Sequence, residues 1–353
     1  MKHGIKRWVI LYRFYRYRCQ TCGSTFSAEL NRWAHRMFGY GVVMYSLYQI
    51  IELRLPIRTV MKSINKLFGF NLKDRTVGRF KEDAAKLYME TYNDMVKRMC
   101  NGQLIHVDET KISIRGMNGY VWVLANIEEV AYIYSETRQG DMLQNLLKEF
   151  TGVLVTDFYA AYDGIKCEQQ KCLIHLIRDL NDTVLKYPYN EELKYLVKGF
   201  ADLVKPMVET VDRHGLKSRF LRKHIVSVDR FYKHISKVDF QSEPAGAVKN
   251  RFEKNRDKLF TFLVHDGVPW NNNNAEHAVK AFATLRRVID GLASEKGIRE
   301  YLVLLSISET CKYRGVDFLD FLRSGEKDIR VFAESKQRRR RGENILLPMH
   351  NTK

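Results

Sequence analysis

Gln103-Leu-Ile-His-Val-Asp108-Glu-Thr-Lys-Ile-Ser-Ile114 is a β-rich run with a carboxylate in its interior, and Gly152-Val-Leu-Val-Thr-Asp157 is a short buried strand that ends on a second one. Between them lie two further strand-like runs, Gly119-Tyr-Val-Trp-Val-Leu-Ala-Asn126 and Val130-Ala-Tyr-Ile-Tyr-Ser135. After Gly140 a helix fits residues 141–150. The order is strand, strand, strand, helix, strand. A carboxylate in or at the end of a core strand is costly unless it is paired or holds a metal. Two of them on adjacent strands would lie close together, and a divalent cation would relieve their repulsion.

Three meandering strands followed by a helix and another strand suit an α/β fold of the ribonuclease-H-like kind, with a mixed sheet. Working outward, residues 37–100 read as helical. Ile57, Val60, Ile64 and Phe68 form one apolar stripe, and Val77, Phe80, Ala84 and Leu87 form another. The short break at Gly69 between two short helices is the helix-turn-helix pattern. The opposite face of the second helix carries Arg75, Arg79 and Lys86, with Lys73 just before it, and these are the candidate DNA-binding residues; Glu82 shares that face and weakens the case. Residues 1–36 are basic and aromatic, and Cys19-Gln-Thr-Cys22-Gly looks like one knuckle of a zinc ribbon. Zinc in such a ribbon takes four ligands. Only this Cys pair is present, and His3 and His35 are the candidates to complete it. Residues 178–265 read as a helical, basic insertion, 266–325 as a return to the core, and 326–353 as a basic tail containing Lys336-Gln-Arg-Arg-Arg-Arg341.

Composition points the same way. The 353 residues carry 59 Lys+Arg against 41 Asp+Glu, a formal net charge of +18. Such a surplus is unusual for a metabolic enzyme and favours a polyanionic partner. A ribosome-associated protein, or a merely basic one, is not excluded by charge alone. The longest uncharged stretch, residues 37–51, is too short to span a bilayer, so no membrane is expected. Six sparse cysteines argue for a reducing cytoplasm over a disulfide framework.

The third carboxylate falls in Trp270-Asn-Asn-Asn-Asn-Ala-Glu276-His-Ala-Val-Lys280, where the Asn run reads as a polar helix start. Asp108, Asp157 and Glu276 together offer hard oxygen ligands suited to Mg²⁺ or Mn²⁺. Two such ions serve in-line phosphodiester chemistry without a covalent protein intermediate. Spacing alone leaves Glu109, Asp163, Asp179 and Asp266 as equally plain carboxylates.

Four stretches in order carry a resemblance. His106-Val-Asp-Glu-Thr110, Thr156-Asp-Phe-Tyr-Ala-Ala-Tyr162 and Asn272-Asn-Asn-Ala-Glu276 resemble the three catalytic boxes of prokaryotic insertion-sequence transposases, most closely insertion-sequence family sixty-six. Ser294-Glu-Lys-Gly297 and Ser308-Glu-Thr-Cys-Lys-Tyr-Arg-Gly-Val-Asp317 resemble that family's C-terminal helices. The resemblance implies a DDE transposase that cleaves DNA ends and joins them to a target, with Asp108, Asp157 and Glu276 as the ligands of two metal ions. It also implies a supporting role for His175 and a phosphate contact at Arg178, both in Gln170-Lys-Cys-Leu-Ile-His175-Leu-Ile-Arg178. The expected partners are the element's terminal repeats, target DNA, a second copy of the chain and accessory transposition proteins. Two departures stand out. Asn271 and His277 occupy the places where the family's third box carries Asp and Arg. A repressor derived from such an element, and a stand-alone metal nuclease, are the rival expectations.

Overall fold

The computed structural model describes residues 7–27, 36–289, 291 and 293–340. His3 and His35, and the end of the basic tail, lie outside the described residues. The chain divides into two compact units, residues 1–92 with 283–353, and residues 93–282.

The first unit opens with a small antiparallel pair, β1 (Arg16–Arg18) and β2 (Thr25–Ser27). Cys19 and Cys22 lie in the tight turn between them, which Gly23 closes at φ +72° through its N–H to the Cys19 carbonyl. The backbone N–H groups of Cys22 and Thr21 favour the thiolate and lower Cys19 to about 7. Among the described residues, no third His, Cys or carboxylate joins this pair. Helix α1 (Tyr40–Leu47) runs on into a π-helical turn, and α2 (Ile57–Phe68) and α3 (Asp74–Leu87) follow. Gly69 ends α2 in the left-handed conformation, where a side chain would be strained. Asn65 then clamps the turn, accepting from the Leu72 N–H at 2.8 Å and donating to its carbonyl at 2.9 Å. Val60, Ile64, Val77, Phe80 and Ala84 are buried, whereas Lys73, Arg75, Arg79 and Lys86 are exposed. Lys81 breaks this pattern. It is buried on α3, 2.6 Å from Glu300 and 4.2 Å above the Tyr301 ring.

The second unit contains most of α4 (Met89–Cys100), followed by the sheet: β3 (Leu104–Ile114), β4 (Met117–Ala125), β5 (Val130–Ser135), then α5 (Asp141–Leu146) and β6 (Val153–Thr156). A fifth strand, β7 (Glu168–Lys171), completes the mixed order β5-β4-β3-β6-β7. The first three strands form an antiparallel meander, and β3, β6 and β7 run parallel. Gly152 sets the β3–β6 register. A Cβ there would lie 2.5 Å from the Gln103 carbonyl, which accepts from the Val153 N–H at 2.9 Å.

β7 has no apolar pattern, yet Gln169, Gln170 and Lys171 are all buried. Its stability comes from side-chain bonds to distant chain. Gln170 donates to the Leu259 carbonyl and accepts from the Phe262 N–H, both at 2.9 Å, and Thr261 Oγ1 donates to the Gln169 carbonyl at 2.6 Å. Six helices follow, α6 (Leu173–Lys186), α7 (Glu191–His214), α8 (Ser218–Leu221), α9 (Ile225–Ile235), α10 (Glu243–Lys254) and α11 (Arg256–Leu259). Their core is rich in aromatics, with Phe200 stacked on Phe252 at 4.8 Å. The boundary that charge suggests at 178 falls inside α6, which begins directly after β7. Helix α12 (Asn273–Ile289) returns to the sheet, where Tyr132 donates to the Ala278 carbonyl at 2.8 Å. Helices α13 (Glu295–Tyr313), α14 (Phe318–Ser324) and α15 (Ile329–Arg340) belong to the first unit. All six cysteines are free, and among the described residues no helix is long and apolar enough to cross a membrane.

Candidate active site

Strands β3 and β6 pair with His106 opposite Val155. Side chains along a strand alternate between faces. Two residues on from His106, Asp108 shares its face of β3; Asp157 follows directly on the last residue of β6, and its charge acts on Asp108. Asp108 accepts from the Glu109 N–H at 2.8 Å, and Asp157 accepts from the Tyr159 N–H at 2.9 Å. Burial pushes the Asp108 carboxyl up to about 7, and the charges of Glu109 and Asp157 push it the same way.

Glu276 reaches this face because the start of α12 is pinned to the strands. Asn272 is fully buried. It donates to the Val107 carbonyl at 2.9 Å and meets His106 Nδ1 at 3.0 Å. Burial lowers His106 to about 4, so the ring is neutral and serves as a hydrogen-bonding wedge. Asn271 accepts from the Asn273 N–H at 3.2 Å, and Asn274 donates to the Asn126 carbonyl at 2.7 Å. Glu276 then lies in the first turn, its N–H bonded to the Asn272 carbonyl at 3.1 Å.

His175, on the first turn of α6, lies among the three carboxylates. Its Nδ1 is 3.8 Å from Glu276 Oε1, and both atoms are buried without a hydrogen-bond partner. The Cys172 side chain raises His175 to about 8 against the effect of burial, with Glu276 and Asp157 adding to the rise. Its charge also acts on Asp108. One ligand atom each from Cys172, His175 and Glu276 lies within 4.8 Å of the others. Arg178, one turn further along α6, is exposed, as is His277.

The rival carboxylates are engaged elsewhere. Glu109 is held by Arg138, with Nε at 3.0 Å, and by the Tyr162 hydroxyl. Asp163 meets Lys258 at 2.8 Å, Asp179 meets Arg251 at 2.7 Å, and Asp266 accepts from the Ser218 N–H at 2.6 Å. Among the described residues, Asp108, Asp157 and Glu276 make no ion pair within 4 Å apart from that of Glu276 with His175. Glu276 Oε1, buried without a hydrogen-bond partner, is an oxygen ligand of the kind a hard divalent cation takes, as are the carboxylates of Asp108 and Asp157. Sequence reasoning missed the part played by Asn272 and His106. The signal available for it was an Asn run ahead of Glu276, which reads as a polar cap rather than a buried anchor.

The uncharacterized protein y4qI of Sinorhizobium fredii (strain NBRC 101917 / NGR234) is 23% identical over 260 residues, covering 65% of this chain and 48% of that protein. The chain thus spans about half the length of the curated relative it matches. The family described as Transposase IS66 family matches residues 35–300, which contain all three carboxylates and the helices on either side. The chain belongs to the IS66 transposase family.

Proposed function

We propose that the chain is a DNA transposase whose Asp108, Asp157 and Glu276 hold two Mg²⁺ or Mn²⁺ ions for end cleavage and strand transfer. The observation that carries this is Asp108 within β3 beside Asp157, the residue that follows β6, with the start of α12 anchored by Asn272 to Val107, one residue before Asp108. The ions, when bound, activate the attacking water or 3′-hydroxyl and stabilise the leaving oxygen. The protein's own part is positional. Asn272 and neutral His106 fix the third carboxylate against the strands. His175 supplies a positive charge beside Glu276, and Arg178 offers a phosphate contact.

In this reading the sheet unit is ribonuclease-H-like, with residues 178–265 as its helical insertion. Residues 37–100 act as the helix-turn-helix that recognises terminal repeats, through Lys73, Arg75, Arg79 and Lys86. Residues 1–36 act as a partial zinc-ribbon-like segment with Cys19 and Cys22 as zinc ligands, and 326–353 as a phosphate-binding tail. Joining two ends requires at least two copies of the chain, acting on DNA in the cytoplasm, with accessory transposition proteins as further partners. The test is to mix the protein with Mg²⁺, a pre-cleaved element end and a plasmid. Joined product supports the reading. Tight end binding without joining favours a repressor, and cutting of any DNA without joining favours a stand-alone nuclease.

A further inference from the structure

Next to the carboxylates, a cleft of about 440 Å³ opens between the sheet and α10. Phe158, Asp163 and Lys171 line one side, and Asn250, Arg251 and Lys254 the other. It begins one residue beyond Asp157. Lys171 ends β7 in register with Thr156, the residue before Asp157, and is only 1% exposed. Its Nζ donates to Thr156 Oγ1 at 3.1 Å. A buried ammonium is costly unless its charge is met. The carboxylate that meets it is Asp163, at 3.7 Å, and Asp163 is shared with Lys258 at 2.8 Å and Lys254 at 4.0 Å. Three lysines share this one carboxylate, with Asp157 acting on Lys171 as well, so the cleft keeps a surplus of positive charge. Arg251 adds a guanidinium 4.4 Å above the Phe158 ring, neutralised by Asp179 at 2.7 Å.

A concave site with surplus charge, a buried cation and amide side chains at its rim is built for an oxyanion. It is not built for a stacked base, because Arg251 already covers Phe158. We infer that this cleft holds a backbone phosphate of the DNA strand bound at the carboxylate site, adjacent to the scissile phosphate. Asp163 fills the place of that phosphate when DNA is absent. The inference rests on the reading of the site as one that acts on DNA, and it gives the helical insertion a direct part in seating the strand.

Lys254 and Asp163 should respond in opposite directions when their charges are removed. Binding is measured by fluorescence anisotropy in EDTA on a duplex carrying the element's terminal repeat, and on the same duplex with single methylphosphonates stepped through the cleavage site. Lys254→Gln, at a largely exposed position, should weaken binding roughly three- to tenfold. Asp163→Asn should tighten it by removing the competing anion. One methylphosphonate near the scissile bond should cost the wild type more affinity than it costs Lys254→Gln, which keeps only Lys171 and Lys258 there. The inference is overturned if Lys254→Gln binds as the wild type does, or if its loss is equal on every modified duplex. It is also overturned if Asp163→Asn weakens binding while its unfolding midpoint is unchanged. Millimolar inorganic phosphate serves as the second probe. If it protects Lys254 from acylation as well as the duplex does, the cleft is a site for free phosphate. Cleavage by Asp157→Asn is assayed alongside. If that variant cuts, the functional reading fails whatever the cleft does; if it does not cut and Lys254→Gln is silent, the cleft inference alone fails.

Discussion

Replacing Asp108 by Asn should stabilise the metal-free protein while removing its chemistry. The Asp108 carboxyl sits at about 7 in the folded chain, against an ordinary value of 3.8, because burial and the charges of Glu109 and Asp157 disfavour its ionised form. A folded value above the unfolded one means that the folded state binds the extra proton. The stability that this group contributes is therefore fully present below about pH 4 and is lost as pH rises through 7. At about 1.4 kcal/mol per unit, the ionised carboxylate costs about 4 kcal/mol at pH 8 and less than about 2 kcal/mol at pH 5. Asn keeps the shape and removes the charge. In EDTA, thermal unfolding of Asp108→Asn should rise on the order of 10 °C at pH 8 and about half as much at pH 5, for a unit of this size. Added Mg²⁺ or Mn²⁺ should close the gap by stabilising the wild type more than the variant. A variant no more stable than wild type at pH 8, or a gain independent of pH, would refute the argument that the site is strained by charge and relieved by metal.

Other outcomes follow from the same structure. Gln170→Leu leaves the Leu259 carbonyl and the Phe262 N–H without their partner, and should lower the urea unfolding free energy by about 2–4 kcal/mol. Lys81→Met strands Glu300 and should cost about 3 kcal/mol, most of which the double variant Lys81→Met/Glu300→Leu should restore; a double variant as unstable as the single one would show that packing, not charge, was lost. Arg75→Ala and Arg79→Ala should each weaken binding to terminal-repeat DNA and lower the salt slope by about 1 per lost phosphate contact; unchanged slopes would remove the exposed face of α3 from the DNA interface.

How far the sequence could be read depended on where each residue's partners lie. β3, β4, β5 and β6 are legible because their apolar runs are local and bounded by glycines or polar turns. The break at Gly69 is legible for the same reason, since Gly69 and the Asn65 clamp lie within a few residues of each other. β7 is not. Glu168-Gln-Gln-Lys171 reads as a polar loop, and it becomes a buried strand because Leu259, Thr261 and Phe262, far along the chain, satisfy its polar groups. Lys81 is hidden in the same way, since its partner Glu300 lies at the other end of the sequence.

At the site, two candidates could be proposed from the strands alone, because a carboxylate at the end of an apolar run is conspicuous. Glu276 could be proposed from the polar helix start that the Asn run makes, and the resemblance of its surroundings to a known box set it apart from the other carboxylates. Its position against β3 depends on Asn272, whose buried bonds to Val107 and His106 no local pattern predicts. The cations around Asp163 were likewise invisible, since Lys171, Lys254 and Lys258 come from separate elements.

The most direct measurement is single-turnover cleavage of terminal-repeat DNA at saturating Mg²⁺ by the wild type and by Asp157→Asn, with DNA binding measured on the same samples. Loss of a metal ligand worth several kcal/mol should slow cleavage by roughly 10³-fold or more while end binding stays unchanged. Cleavage by Asp157→Asn at the wild-type rate would contradict the central claim that Asp108, Asp157 and Glu276 form the metal-dependent catalytic site.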